Sequence, residues 1–517
     1  MTRDAAAIGR GLEPARTARP IAAGERVHVV GAAGAGASGA ALLAAAAGGL
    51  VSGCDPGGPS PYTPALERAG VRLVWEHDPS HVTTKPSPHR LSVTKALTAI
   101  DPDHPELAAA RRAGIPVEPW QQLVADAAAG RTLVAVAGTH GKSTTAGWLA
   151  HVLVDAGADP SAFVGALLPP EVTGDIAATA RSGSGPAFVV EADEYAGNFD
   201  PYRPDVAVVT SVEWDHPDVF ADRAAVSGAI AGWLARAPGD ATVVANAADD
   251  GVEDVLDALR EQPIRIIAYA LVDASPQRGG YMRGLAERFA TPAGPATPVL
   301  ARIVEADPDG TTLDIHGLDP IEGPRQARLA TAGRHNAANA LGVAGAALAL
   351  GVQPAQIVRG LGAFRGVGRR LELKGESGGV TVYDDYGHHP SAIRETLAAV
   401  RQRRPGRRVW AVYEPLTYHR TAALLDDFAA VLATADGVAI ADIWAGRDPD
   451  TSVASSTGLA EAIARRRPEI PVAAPGSVEA TGAWLAKAVS PGDVVLVMGG
   501  GRSYRIGEVL LERLEAS

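Results

Sequence analysis

Gly138-Thr139-His140-Gly141-Lys142-Ser143 follows the apolar run Leu133 to Ala137 and precedes a helical pattern that opens at Thr144. Strand, glycine-bearing loop and helix start are together the parts of a phosphate cradle. Small residues let backbone N–H groups approach anionic oxygens, Lys142 adds a point charge, and the Ser143 hydroxyl can hold a phosphate-bridging magnesium ion. Lys142 is one of five lysines among 47 basic residues, so a general excess of lysine does not account for it. The pattern GxxxxGK[ST] would require glycine where Val136 stands, which makes this a shorter variant. The stretch reads as a nucleoside triphosphate site, with a ligand-free glycine turn as the bland alternative.

The 517 residues around it exceed what one hydrophobic core supports, and the usual ~100–200 residues per domain give about three domains. A formal charge of −12 argues against nucleic acid and anionic membrane as partners, since both need basic patches. The single cysteine, Cys54, excludes an internal disulfide framework and a cysteine-rich zinc site, which fits a cytoplasmic, reducing setting. No apolar stretch approaches the ~20 residues of a membrane span; the alanine-rich run from Ala40 to Ala47 is the longest candidate. Met1 to Pro20 carries arginines but no apolar core, and is expected to be a disordered extension.

Three strand-helix patterns follow one another. The first starts at Val27-His28-Val29-Val30, turns at Gly31, and reaches a second strand ending Val51-Ser52-Gly53-Cys54-Asp55. The second carries the phosphate loop, the strands Ala187 to Val190 and Val206 to Thr210, and a helix from Asn336 to Leu350. Within it, residues 271 to 300 are rich in Gly, Pro, Ala and Arg and are expected to form an irregular insertion or mobile loop. The third alternates Val380 to Tyr383, Val409 to Tyr413, Gly437 to Ala441 and Val494 to Met498 with helices. The expected fold class is α/β in three domains: Rossmann-like over 25–129, a P-loop ATPase-type domain over 130–364, and Rossmann-like again over 365–517.

Gly34-Ala35-Gly36-Ala37-Ser38-Gly39 satisfies GxGxxG after a strand, and Asp55 ends the next strand. That spelling serves a dinucleotide, but a glycine loop at a helix N-terminus recognises any diphosphate, and a tight turn needs no ligand at all. Cys54 reads as a small buried residue. In the second domain, strands end in Glu191-Ala192-Asp193-Glu194-Tyr195 and in Thr210-Ser211-Val212-Glu213-Trp214-Asp215-His216, at the edge where parallel sheets bind ligands. Ser143, Glu191 and His216 are the candidate ligands for magnesium, although histidine is unusual for that ion and His216 also reads as a hydrogen-bonding loop residue. Asp193, Glu194 and Asp215 read more simply as solvated loop charges or helix caps.

These residues together resemble the Mur ligase family, ATP-dependent amide-forming enzymes of bacterial cell-wall precursor synthesis. The similarity runs from Val27 to the C-terminus through GTHGKST (138–144), EADEY (191–195), EWDH (213–216), GRHNAANAL (333–341), GVGRR (366–370) and YDDYGHHP (383–390). The resemblance implies ATP and Mg²⁺ as cofactors. It assigns Gly138, Thr139, His140, Gly141, Lys142, Ser143, Thr144, Arg370 and Asp384 to the nucleotide, with His335, Asn336 and Asn339 at adenine. Within the family, the first loop and VSGCD are most similar to members that join L-alanine to UDP-N-acetylmuramate, which implies that Gly34, Gly36, Ser38 and Asp55 bind the UDP-sugar. Tyr386, His388 and Arg420 are then placed near the acyl group and the amino acid. Lys142, His388 and Arg420 are the implied catalytic residues, His388 being either a general base or a buried structural histidine.

The sequence also departs from the alanine-adding pattern FQPHxYSR. Glu414 replaces the glutamine, Leu416 the histidine and His419 the serine, while Ile443 to Asp448 again resembles those members. Glu414-Pro415 is a feature of the relatives that attach a recycled tripeptide. Residues 83 to 100 lack the usual apolar strand ending in Ser-Ser-Ala, leaving Ser92-Val93-Thr94-Lys95-Ala96 as its counterpart. A non-catalytic ATP-binding homologue and an NAD(P) oxidoreductase are the readings from other classes; the second has no account of residues 138 to 143.

Overall fold

The computed structural model describes residues 5–273, 280–319, 323–446, 448 and 450–516. Three sheets succeed one another along the chain. The first is built from β1 (Arg26–Val30), β2 (Leu50–Cys54), β3 (Arg72–Val74), β4 (Arg90–Val93) and β5 (Val117–Pro119), all parallel in the order β3-β2-β1-β4-β5. The order reverses between β1 and β4, and the glycine loop after β1 opens onto that switch point, where such sheets bind ligands.

The second sheet has ten strands: β6 (Thr132–Ala137), β7 (Ser161–Leu168), β8 (Ala178–Arg181), β9 (Ala187–Glu191), β10 (Val206–Val209), β11 (Thr242–Asn246), β12 (Arg265–Leu271), β13 (Thr297–Asp307), β14 (Gly310–His316) and β15 (Arg325–Leu329). Their order is β15-β14-β13-β12-β11-β10-β6-β9-β7-β8, antiparallel only at β13-β14-β15 and β7-β8. Its central strands are continuous Val/Ala runs because helices cover both faces. The third sheet joins β16 (Glu372–Ser377), β17 (Val380–Asp385), β18 (Val409–Glu414), β19 (Gly437–Ala441), β20 (Val472–Gly476) and β21 (Val494–Gly499) in the order β16-β17-β21-β18-β19-β20, antiparallel only at β16-β17.

Three expectations are corrected. The extension before residue 20 is fastened where it is described: Arg16 bonds Glu118 at 2.8 Å and Asp126 at 2.7 Å, and Arg19 bonds Glu25 at 2.7 Å. Residues 90–93 do form a strand, with all four residues buried. Its Arg90 is neutralised by Glu25, Glu118 and Asp126, so a polar-looking segment satisfies a buried position through partners far along the chain. The segment from 271 to 300 contains the helix Tyr281–Arg288 and the start of β13; residues 274–279 of that expectation lie outside the described residues.

The first two sheets share one apolar cluster, in which Ala37 and Leu123 meet Phe163 and Ala180. The helix Ala35–Ala46 makes this possible because it is built of small residues: a Cβ on Gly39 would stand 2.8 Å from the Phe163 ring. The N-terminal domain therefore packs directly against the cradle-bearing domain.

Candidate active site

The cradle depends on two glycines with positive φ. Gly138 has φ +125°, and a Cβ there would lie 2.4 Å from Thr210 Oγ1; Gly141 has φ +80°, and its Cβ would meet Asn339 Oδ1 at 2.4 Å. Both clashes come from elements packed onto the loop, so glycine is required by conformation and by space. Lys142 opens the helix Lys142–Asp155, and its Nζ donates to Gly138 O at 2.6 Å and to Glu194 Oε2 at 3.0 Å. Burial opposes its charge, but Glu194, Asp193 and Glu191 outweigh that and raise its pKa. Glu194 is 1% exposed, and burial, eased by Lys142, pushes its carboxyl up to about 7.

Ser143 Oγ donates to Glu191 Oε1 at 2.9 Å, and the other Glu191 oxygen accepts the Gly165 N–H at 2.6 Å. From the third domain, Arg370 donates to the same Ser143 hydroxyl at 2.8 Å. His216 keeps different company: Nε2 stands 3.7 Å from Glu194 Oε1, and Asp193, Glu194 and His216 form one group whose ligand-type atoms lie within 4.8 Å of one another. The expected set Ser143, Glu191 and His216 is thus arranged as a Ser143–Glu191 pair and a His216 group.

Arg420, 2% exposed, forms a buried ion pair with Asp215 at 2.7 Å and lies 3.3 Å from His216 Nδ1. Despite burial, Arg420 holds the Asp215 carboxyl well below the usual range. His388 Nδ1 bonds the Tyr386 carbonyl at 2.9 Å, leaving Nε2 as the lone-pair nitrogen; burial and then Arg420 push its pKa well down, so the ring is neutral. His389 bonds Trp214 O at 3.2 Å, and Ser391 donates to Glu213 at 2.6 Å, both across the seam between the second and third domains.

All three domains line one cleft of about 770 Å³: Gly36 and Trp120 from the first, the cradle with His335, Asn336 and Asn339 from the second, and Arg370, Tyr386, His388, Leu416 and Arg420 from the third. Five expected site residues, Gly34, Ser38, Asp55, Gly138 and Asp384, do not line this cleft. Ser38 is fully buried and spends its hydroxyl on Ala35 O and Thr179 Oγ1, so it serves the seam between the first two domains. Asp384 is 1% exposed and salt-bridged to Arg369 at 3.0 Å, while its neighbour Asp385 reaches the cleft. Asp55 accepts N–H groups from Ala33 and Gly57 and so shapes the first loop. Glu194 and Asp215, read from sequence as loop charges, are buried partners of Lys142 and Arg420. Tyr62, which no motif singled out, reaches Arg369 from the first domain.

The sequence matches three family descriptions in order: "Mur ligase family, catalytic domain" over 26–132, "Mur ligase middle domain" over 136–347, and "Mur ligase, glutamate ligase domain" over 369–501. The chain belongs to the Mur ligase family. As a Mur ligase it is 38% identical over 490 residues to the UDP-N-acetylmuramate–L-alanine ligase of Kineococcus radiotolerans, covering 95% of this chain and 96% of that one. Its fold matches the UDP-N-acetylmuramate-alanine ligase of Thermotoga maritima with TM-score 0.73 at 22% identity, over 95% of this chain and 99% of that one. A murein peptide ligase from Psychrobacter arcticus matches with TM-score 0.70 at 26% identity, over 96% and 99%. Members of this family are ATP-dependent ligases, and among the described residues of this Mur ligase no helix is long and apolar enough to cross a membrane.

Proposed function

We propose that this protein joins the amine of L-alanine to the lactyl carboxylate of UDP-N-acetylmuramate, with ATP cleaved to ADP and phosphate. The observation that carries the reading is the single cleft in which the cradle, the Arg420–Asp215 pair and His388 meet a wall of the first domain. In this reading residues 25–129 hold the UDP-sugar, 130–364 hold ATP and 365–517 hold the amino acid. The lactyl carboxylate oxygen attacks the γ-phosphorus and ADP leaves, giving an acyl phosphate; the amine then attacks the acyl carbon and phosphate leaves. Lys142 and Arg370 offset the charge crowded between carboxylate and phosphate. His388 Nε2, neutral and within the cleft, takes the proton only as attack on the acyl carbon makes the amine N–H acidic, since its lowered pKa leaves it a weak base. Closure of three domains keeps water from the acyl phosphate.

Magnesium fits the Ser143–Glu191 pair, because both offer hard oxygen donors beside the phosphate loop. The Asp193, Glu194 and His216 group is the second place able to hold a cation; Glu194 Oε1 is buried there without a hydrogen-bond donor. When bound, the ion neutralises phosphate oxygens.

The acceptor follows from the altered segment after β18. Glu414, the feature shared with tripeptide-adding relatives, is 3% exposed and accepts backbone N–H groups of Arg502 and Ser503, away from the cleft. Leu416 does line the cleft, packed so closely on Gly500 that a Cβ there would come within 2.8 Å. An apolar side chain at that place suits a small acceptor and offers a tripeptide's charges no partner. Phosphate release should be measured with ATP, Mg²⁺ and UDP-N-acetylmuramate while L-alanine, glycine, L-serine and L-Ala-γ-D-Glu-meso-diaminopimelate are varied. L-alanine is expected to give the highest kcat/KM. A higher value for the tripeptide would overturn the acceptor and leave the ligase chemistry standing; no release with any acceptor would overturn both.

A further inference from the structure

Four segments of the first domain converge on a buried point beneath its glycine loop. His28 on β1, Cys54 at the end of β2, His81 in the short turn Ser80–Thr83 and Glu106 in the first turn of the helix Pro105–Arg112 each bring one ligand-type atom within 4.8 Å of the other three. His28 Nε2 is 3.3 Å from Cys54 Sγ and 3.6 Å from Glu106 Oε2; Cys54 Sγ is 3.3 Å from Glu106 Oε2; His81 Nδ1 is 3.0 Å from Glu106 Oε1. Ligands held ~2.0–2.3 Å from a tetrahedral zinc ion stand roughly 3.3–3.8 Å from one another, close to the edges seen here.

Charge points the same way. The Glu106 side chain is fully buried, and its partners among the described residues are histidines, the cysteine and the Asp78 N–H, with no lysine or arginine. A carboxylate so placed needs a cation. His28 is already oriented, because its Nδ1 bonds Ser52 Oγ at 2.9 Å and leaves Nε2 facing the sulfur, the outer-shell support that metal-bound histidines show. None of the four residues lines the cleft, so this point is separate from the triphosphate site.

We propose that His28, Cys54, His81 and Glu106 bind one zinc ion that fastens the first domain. Sulfur and two imidazoles in the set select a borderline-soft transition metal over magnesium or calcium. Cys54 coordinates as thiolate, and its proton passes to solvent as the ion binds. Partly exposed His77 and His81 give the ion its route in. The Cys54 carbonyl accepts the N–H groups of Gly31 and Ala32 at 2.9 and 3.1 Å, so the ion also anchors the base of the glycine loop.

The test uses the full chain, stripped with a chelator and titrated with Co²⁺ and then Zn²⁺ under excess Mg²⁺. One equivalent of Co²⁺ is expected to bind with tetrahedral ligand-field bands and a sulfur-to-cobalt charge-transfer band, both removed by Zn²⁺, and Zn²⁺ is expected to raise Tm. Cys54→Ser should lose the charge-transfer band and weaken binding on the order of 100-fold. His81→Ala should keep that band while binding more weakly, and it decides the matter if the serine variant does not fold. A wild-type chain with no charge-transfer band, or His81→Ala and Cys54→Ser chains that bind as tightly as wild type, would overturn the proposal and leave a hydrogen-bonded network only.

Discussion

Lys142 carries the charge logic of the site, because it is the cation shared by Glu194 and, at 4.0 Å, Asp193. Replacing it with alanine removes the point charge facing the phosphates but touches nothing in the first domain. Lys142→Ala is expected to lower turnover by at least ~10²-fold, with UDP-sugar affinity unchanged; calorimetry beside an ADP assay checks this, and joint loss of both would contradict the division of labour between the two loops. His389 gives a pH prediction. Burial and neighbouring His140 push its pKa down to about 4, against about 6.5 in an unfolded chain. Between those values the unfolded state holds more protons, so this contribution to stability is complete above pH ~6.5 and is lost as pH falls toward 4. On the order of 2 kcal/mol should go between pH 7 and pH 5. The denaturant midpoint of His389→Gln should fall less over that interval than that of wild type; equal falls would remove His389 as the cause. The motif residues 138–144 were legible because their chemistry is local. Glu194 and Asp215 were not: the burial of Asp215 is made by Arg420, 205 residues further along the chain.

Elements were legible where one local rule dominated. Runs such as Thr132–Ala137, after its opening threonine, and Val494–Gly499 are apolar because they are covered on both faces, and glycine follows them where the chain must turn onto a helix. The strand Arg90–Val93 escaped because its arginine looks solvent-facing until Glu25, Glu118 and Asp126 close around it. The helix Tyr281–Arg288 escaped because the surrounding glycines and prolines swamp its short pattern. Backbone geometry at the loop after β6 yields a prediction of its own. Gly138→Ala meets both a positive φ and the Thr210 hydroxyl at 2.4 Å, whereas Gly130 at φ +78° has open space around it. Gly138→Ala should cost about 1–3 kcal/mol of strain and relieve it by shifting the loop, raising KM for ATP at least ~10-fold through lost positioning. Gly130→Ala should leave that KM unchanged. Equal KM values for the two variants would mean that the loop tolerates a side chain at its first glycine.

At the scale of the whole molecule, the seams between domains carry, beside the apolar packing of the first two, polar contacts that no stretch of sequence announces. Arg370 reaches Ser143, Ser391 reaches Glu213, Lys95 reaches the Ala196 carbonyl at 2.6 Å, and Arg420 pairs with Asp215 where water is excluded. The last is the most consequential, because a buried ion pair that loses one member leaves an uncompensated charge, typically worth 3–5 kcal/mol within a single core. Between two domains that charge has an escape, since the domains can part and return the carboxylate to water. Arg420→Met is therefore expected to enlarge the radius of gyration measured by small-angle scattering, while thermal unfolding of the individual domains shifts by less than the core value. Arg420→Met/Asp215→Asn, which removes the stranded charge, should recover part of the compact dimension without recovering turnover. An unchanged radius of gyration in Arg420→Met, accompanied by a destabilisation of the full ~3–5 kcal/mol, would mean that the seam is a fixed core and that closure does not depend on this pair.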